Sequence, residues 1–437
     1  MLWRRSNNSV GPSRPPETAG LRACARSVTL PDVAQTFRFA RAPIRFARLI
    51  APPAILLAIV VISAERGEAH KPITSPYSYN DEVFPILRDR CGRCHVAGGV
   101  APMSLMTYKD AFPWGESIRT ELVAGHMPPW NVDDAAGRFR NAQALSAREL
   151  NVLLTWVTGG NPMGSAERTP PPVEPQRGWR LGPPDLVVQM PSEFTIAADA
   201  NEATQEFALP ISTAEARLVR AVDLLPGNPA IVRSATVRVK ESPAAATAEG
   251  VLAMWVPGDA PVPLVDGTAF RLPPGADLVL RVHYKKTWQY ERSAMTDRTS
   301  VGLYFAKAPA TEVRALTLAP EGGAAESLDP GLSFSRTVGE DVQAVAIYPD
   351  AALANVNVEV RAVRPDGSRA ELIRVRPQAD WARRYWFAQP VALPRGTQIG
   401  VVVTNRDILL PPGAAPVVAR RPDISSLRLT LNVVPAR

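Results

Sequence analysis

The sequence predicts a multidomain chain: a small all-α domain followed by two β-sandwich domains. Three observations carry this expectation. Between Asn80 and Gly160 apolar residues recur at helical spacing behind recognisable caps. Beyond Leu186 short, partly alternating segments are separated by Gly, Pro and Asp turns. A proline-rich stretch, Thr169 to Pro184, lies between the two regions. The 437 residues are too many for one core, and 44 prolines favour turns and short strands over long helices. The expected divisions are a leader over 1–69, a helical domain over 70–165, a linker over 166–184, and sandwiches over 185–310 and 311–437.

The leader explains the charge. The formal net charge is +7, and nine arginines from Arg4 to Arg48 stand against only Glu17 and Asp32, so the whole excess precedes Leu49. The remainder is about neutral and has no basic surplus with which to neutralise phosphates, which excludes nucleic acid as an expected partner. Leu49 to Ala64 is almost wholly apolar, with small residues at Gly67 and Ala69 before His70. Positive flank, apolar run and small residues make an export signal. The run is shorter than the roughly 20 residues needed to span a bilayer and contains Pro52-Pro53, so cleavage is favoured over an uncleaved anchor through 49–64. A periplasmic or exported protein is expected, losing Cys24 with its leader.

In the helical region Asn80-Asp81-Glu82 supplies a cap and acidic residues at the positive end of a dipole, with Val83, Ile86 and Leu87 as the apolar side. This helix leads into Cys91-Gly92-Arg93-Cys94-His95. Two thiols three apart, followed at once by an imidazole, suit covalent c-type haem: each thiol adds to a vinyl group, and His95 becomes the proximal iron ligand. Zinc would need two further ligands at similar spacing, and none are offered. One haem c is therefore the expected cofactor, and the helical region is expected to be a cytochrome c-like domain. Pro102, in the loop from Val96 to Leu105, is the candidate whose carbonyl fixes the His95 tautomer; a plain turn proline is the equal alternative. A second helix is predicted from Lys109 to Ala124, with Pro113 near its first turn and Gly125 at its end. Met127 follows it and is the favoured distal ligand, since a thioether raises the reduction potential. His126, Met103 and Met106 are its rivals, and core filling is the usual fate of a methionine. A third helix opens at the capping box Ser146-Ala147-Arg148-Glu149 and runs to Gly159-Gly160.

These motifs, with Ala101-Pro102-Met103-Ser104-Leu105, Met127-Pro128-Pro129-Trp130 and Leu153-Leu154-Thr155-Trp156, resemble bacterial cytochrome c domains fused to a copper type II, ascorbate-dependent monooxygenase-like (peptidylglycine hydroxylating monooxygenase-like) module. The resemblance continues through Leu225-Pro226-Gly227-Asn228, Pro257-Gly258-Asp259-Ala260-Pro261 and Val282-His283-Tyr284. It implies two jelly-roll domains, divided near Pro309 to Glu312, with one copper each. The implied ligands are mostly lost. The first histidine pair falls on Arg233 and Ser234, leaving His283. The second site falls on Asp350, Ala351 and Ala352 after Tyr348-Pro349, with its methionine near Ser425 or Ser426. One imidazole cannot hold copper or set its geometry, so copper is not expected. His283 then reads as a hydrogen-bonded strand residue. His70 as a new N-terminus could chelate a metal through amine and imidazole, against the plainer reading of a loose terminus.

The function these observations lead to is electron transfer by an exported single-haem c-type cytochrome. Its copper-free, monooxygenase-like sandwiches would serve as a docking or scaffold module for redox partner proteins in the periplasm. The alternative is a haem-dependent or copper-dependent oxidoreductase, a monooxygenase or peroxidase-like enzyme. No phosphate loop, hydrolase elbow or zinc-protease motif offers another chemistry.

Overall fold

The computed structural model describes residues 74–133, 137–175, 177–211, 213–240, 250–265, 267–307, 309–320, 326–328, 331–349, 356–405 and 427–436. The apolar run 49–64, His70, Asp350 to Ala352 and Ser425-Ser426 lie outside them. Among the described residues no helix is long and apolar enough to cross a membrane. All of them belong to one compact unit, His70–Arg437.

Helix is short and interrupted. The first stretch is a π-turn at Tyr79–Val83, α1 (Phe84–Ile86) and a second π-turn at Leu87–Cys91. Pro85 has no N–H to give and crowds the carbonyl four residues back, so the chain winds wider on either side of it. The second predicted helix breaks in the same way. α2 (Tyr108–Ala111), capped by Thr107, passes through a 3-10 turn at Phe112–Trp114 into α3 (Gly115–Val123), with Pro113 at the break. α4 (Ala147–Thr158) has the expected box: Ser146 Oγ accepts from Glu149 N, and Glu149 accepts from Ser146 N. It buries Val152, Leu153 and Trp156 against Tyr79, Phe84 and Leu87 in a small core.

Among the described residues most of the regular structure is β-strand. In order come β1 (Leu186–Gln189), β2 (Phe194–Ile196), β3 (Glu202–Leu209), β4 (Arg217–Leu225), β5 (Val232–Val239), β6 (Val251–Trp255) and β7 (Thr268–Leu272). Next are β8 (Leu278–Lys285), β9 (Met295–Asp297), β10 (Ser300–Phe305), β11 (Thr311–Glu312), β12 (Arg314–Leu318), β13 (Glu326–Leu328) and β14 (Gly331–Thr337). The last are β15 (Val342–Pro349), β16 (Val356–Val363), β17 (Arg369–Val375), β18 (Tyr385–Leu393), β19 (Gln398–Asn405) and β20 (Leu429–Pro435). They form four large sheets, ordered β1-β10-β4-β7-β11, β3-β8-β5-β6, β12-β20-β15-β18 and β13-β14-β19-β16-β17, with a small β2-β9 pair.

This architecture corrects the expected fold class, an all-α cytochrome c-like domain followed by two β-sandwich (jelly-roll) domains. The four large sheets take a propeller-like, four-bladed arrangement, and the helices are too short and broken to be an all-α domain. Two findings give the physical reason. The sheet β12-β20-β15-β18 is covered on both faces. Val342, Ala344 and Ile347 of β15 enter one core, with Leu429, Leu431 and Val433 of β20, whereas Val345, Ala346, Trp386 and Val434 enter the other. Independent sandwiches would leave one face of each sheet to solvent.

The second finding is a strap from the helical region. Val132 bridges Val375 at the end of β17, and Phe139 bridges Phe387 of β18. Both are edge strands, so the strap covers their open hydrogen-bonding sides. Trp130, Val132 and Phe139 are buried in the core of the C-terminal sheets, where Trp130 meets Tyr385 edge-on at 5.5 Å between ring centroids.

The proline-rich stretch is also docked. Tyr304 Oη donates to the Gly182 carbonyl at 2.7 Å, and Asp223 accepts from Arg180 N at 2.9 Å. A Cβ on Gly302 would come within 2.6 Å of Pro184 and 2.9 Å of Trp179. Gly302→Ala should therefore lower stability by about 1–3 kcal/mol in urea unfolding; an unchanged midpoint would mean that 179–184 does not pack on β10.

Candidate functional site

The turn after the second π-turn brings the thiols and the imidazole together. Cys94 N and His95 N both donate to the Cys91 carbonyl, at 3.0 and 2.8 Å. Gly92 sits where any side chain would meet the Arg88 carbonyl at 2.6 Å and Met106 Sδ at 2.8 Å, so the second position of the motif admits only glycine without displacement. Cys91 and Cys94 are both free thiols. Burial pushes the Cys91 thiol up to about 12, with the neighbouring Cys94 adding to it, and pushes Cys94 up to about 11, with Asp259 adding to it.

His95 Nδ1 lies 3.2 Å from the Met103 carbonyl. That contact makes Nδ1 the protonated nitrogen of the neutral ring and leaves Nε2 with the lone pair a metal needs. Burial also holds the imidazole below its ordinary value, in the neutral form, with the Met103 hydrogen bond acting against it. The sequence offered Pro102 for this role, and the structure gives it to the next residue. Two separate thiols and an imidazole fixed by a backbone carbonyl are the donor set that a covalent haem requires, and the residues fit that group.

Of the distal candidates, Met103 holds the proximal side through its carbonyl, and Met106 is buried in the helical core against Gly92. His126 Nδ1 faces Glu121 Oε2 at 3.1 Å on the surface. Met127 is 36% exposed in the loop that leaves α3, with a cis bond to Pro128, and its N–H donates to the Glu121 carbonyl at 3.4 Å. It is thus the one of the four whose side chain is neither packed in the helical core nor turned to the proximal side or to a carboxylate.

The sequence did not foresee the neighbour of this turn. Pro257-Gly258-Asp259, just after β6, receives Cys94 Sγ at 3.7 Å from the Pro257 carbonyl, and Arg93 and Arg180 each donate to the Gly258 carbonyl at 3.1 Å. Gly258 has φ +80°, and a Cβ there would run into the Arg93 side chain. Asp259 is buried, accepts from Gln143 and pairs with Arg383 at 3.6 Å. Burial raises its carboxyl, and Arg383, Gln143, Arg93 and Arg180 pull it back only in part.

His283, on β8, lies opposite Thr204 of β3, whose hydroxyl is 3.1 Å from Nδ1. Nε2 is 3.3 Å from Asp380 and 3.6 Å from Glu202, and the three ligand atoms converge as a metal triad would. Lys285 already stands among them, at 2.8 Å from Asp380 and 3.6 Å from Glu202. Its ammonium supplies the positive charge that the two carboxylates require, and a hard oxygen-rich set is not a copper site. Glu202 was hidden from sequence reasoning because only strand register brings it to this face, and Asp380 because it lies on a distant 3-10 turn.

No family model and no curated protein matches the chain. Solved structures give faint likenesses. A Sulfolobus Turreted Icosahedral Virus structure has 10% identity over 60% of this chain and 98% of its own, with a TM-score of 0.12. Bacillus subtilis oxalate decarboxylase has 8% identity over 55% and 71%, also at 0.12, and pumpkin pro-11S globulin has 10% over 53% and 87%, at 0.10. Scores this low carry no argument about fold or function.

In protein whose cysteines are unmodified, the half-buried thiols, with pKa values raised well above that of free cysteine, should alkylate at pH 8 on the order of a hundredfold more slowly than free cysteine, and at ordinary rates in urea; fast reaction of folded protein would contradict the raised values. A second expectation concerns Asp380. Burial pushes it up, but the hydrogen bond and charge of Lys285, with His283 and Arg233, more than offset this, so it sits below its ordinary value. Stabilisation from the half-exposed pair is present above the usual carboxylate range and is lost as pH falls through the lowered value. Asp380→Asn should cost about 1 kcal/mol or less at pH 7 and nothing at low pH. A cost that grows on acidification would refute the assignment.

Proposed function

We propose that this protein is an exported single-haem c-type cytochrome that transfers electrons, with its β-sheet region serving as a docking or scaffold module for periplasmic redox partners. The observation that carries the reading is the Cys91-x-x-Cys94-His95 turn, with two free thiols and an imidazole whose Nδ1 is tied to the Met103 carbonyl. Cys91 and Cys94 would hold the haem covalently, His95 would bind its iron through Nε2, and Met127 would take the distal position. The haem supplies a reversible one-electron couple between ferric and ferrous iron.

The chain's own residues do the rest. The Met103 carbonyl keeps the His95 proton on Nδ1 and fixes the ring's orientation. Burial keeps that ring neutral, with its Nε2 lone pair free to bind a metal. Glu121 draws His126 aside and so leaves the loop's thioether as the available distal donor. The export expectation rests on the arginine flank and the apolar run before His70. Copper chemistry is not part of the proposal, since Lys285 sits among the groups that surround His283.

The test is a haem and metal inventory of the purified protein, followed by spectroscopy. One covalent haem per chain is expected, with a low-spin ferrous spectrum and a methionine–iron charge-transfer band in the ferric form. Met127→Ala should abolish that band and His126→Ala should leave it; the reverse result would reassign the distal ligand. Rapid carbon monoxide binding to reduced wild type would point instead to an open iron position and an oxidase or peroxidase-like activity.

A further inference from the structure

A cleft of about 440 Å³ opens between the cysteine turn, the proline-rich stretch through Glu174 and Arg180, and the C-terminal ends of β4 and β6. That is the size of a small-molecule site, and Pro226, Pro229 and Pro257 stiffen its walls. The turn contributes Gly92, Arg93 and Val96 to the lining, whereas Cys91, Cys94 and His95 are not part of it. The hydrogen bonds from Cys94 N and His95 N to the Cys91 carbonyl make this a helical turn. On such a turn residues 91, 94 and 95 share one face, and 92, 93 and 96 share the opposite one. The cleft therefore lies on the face turned away from any group that the thiols and the imidazole hold. Cys94 meets it at the border, with Sγ 3.7 Å from the Pro257 carbonyl.

The lining carries three arginines and three carboxylates, yet they do not cancel. Arg88 pairs with Asp89 at 2.7 Å. Asp223 is buried with both oxygens turned to the backbone, Oδ1 accepting from Leu224 N and Oδ2 from Arg180 N, each at 2.9 Å. Glu174 is exposed to water. Arg93 and Arg180 remain, and each gives one N–H, at 3.1 Å, to the same acceptor, the Gly258 carbonyl. A guanidinium has five N–H groups in a planar fork that matches a carboxylate, and here two forks share one neutral oxygen. The next residue, Asp259, is committed to Gln143 and Arg383. Burial disfavours the charge on Arg180; Asp223 and Asp259 work against this, and Arg93 works with it. An anion between the two forks would offset both the burial and the repulsion. Trp255, half-buried at the end of β6, adds an aromatic wall.

We propose that this cleft binds a small organic carboxylate with a flat apolar body. Arg93 and Arg180 take its oxygens, and Trp255 takes its body. The paired forks call for a planar oxyanion, and the aromatic and proline walls call for an apolar remainder that a bare inorganic ion does not have. Neither His95 nor Met127 lines the cleft, so the site goes beyond the haem reading and stands without it.

The test is calorimetric titration of the full-length protein, as purified, with benzoate, benzyl alcohol and inorganic phosphate. Benzoate should saturate one site per chain at millimolar concentration. Benzyl alcohol, which lacks the charge, and phosphate, which lacks the apolar body, should each bind at least about tenfold more weakly. Arg93→Gln and Arg180→Gln should each weaken benzoate about tenfold or more, and Trp255→Leu should weaken it as well. Arg93 is exposed, so its replacement spares the fold; that variant and the three probes on wild type decide the matter even where Arg180→Gln does not fold. Absence of saturable benzoate binding, equal binding of benzyl alcohol or phosphate, or an unchanged affinity in Arg93→Gln would overturn the proposal. The absorption spectrum of any bound haem should stay the same through the titration, and a change of iron ligation by benzoate would overturn it equally, by putting the anion on the iron. Protein purified without haem should still bind benzoate, which separates failure of the haem reading from failure of this one.

Discussion

Covering both faces of the sheet β12-β20-β15-β18 is the constraint on which the molecule depends. β15 carries Ala344 and Ile347 to one side and Val345 and Ala346 to the other, helped by a bulge between Ala344 and Ala346 that changes which residues face which core. Neither neighbouring layer can be removed without exposing a row of aliphatic side chains. The polar residues on that sheet follow the same demand: Thr430 and Asn432 of β20 are buried between strands and not at a rim. Cohesion of the whole His70–Arg437 unit follows from this sheet more than from any linker.

The cysteine turn takes its surroundings from that frame. Its proximal side belongs to the helical core, through Met103, Met106 and Gly92, and its other side belongs to the sheets, through Pro257, Gly258 and Asp259. A group held by Cys91 and Cys94 would thus lie in surroundings made by two regions of different chemistry: an apolar one that keeps His95 neutral, and a cationic one contributed by arginines far along the chain. A buried arginine is tolerated in such a place only where the structure around it compensates.

What could be read from the amino acids was local. The capping box at Ser146 and Glu149 acts within one helical turn, and the Cys91-to-His95 motif within five residues, so both were legible. Strand segments such as Leu278 to Val282 and Ala235 to Val239 were located as well, within β8 and β5. Their pairing was not, because register is set by partners up to a hundred residues away. The sandwich expectation assumed one wet face per sheet, yet Val342 to Pro349 and Leu429 to Val434 are nearly unbroken buried runs, the signature of strands covered on both faces. Pro85 and Pro113 broke helices whose apolar periodicity alone looked continuous. Met103 in place of Pro102 is an offset of one residue, finer than a loop's sequence can specify. Arg233 was noticed only as the position where a histidine was missing, although a guanidinium brings its own demand for anions.

The strap from Trp130 to Arg140 gives the chain an order of assembly. Its bridging partners lie at Val375 and Phe387, more than two hundred residues later, so the segment that follows Met127 has nothing to pair with until nearly the whole polypeptide has emerged. Contacts this distant in sequence form slowly and late. Cys91 and Cys94, which the finished protein partly covers, are therefore more open while the chain is being made than after its last strands have paired, and any covalent modification of them has the length of that delay in which to occur.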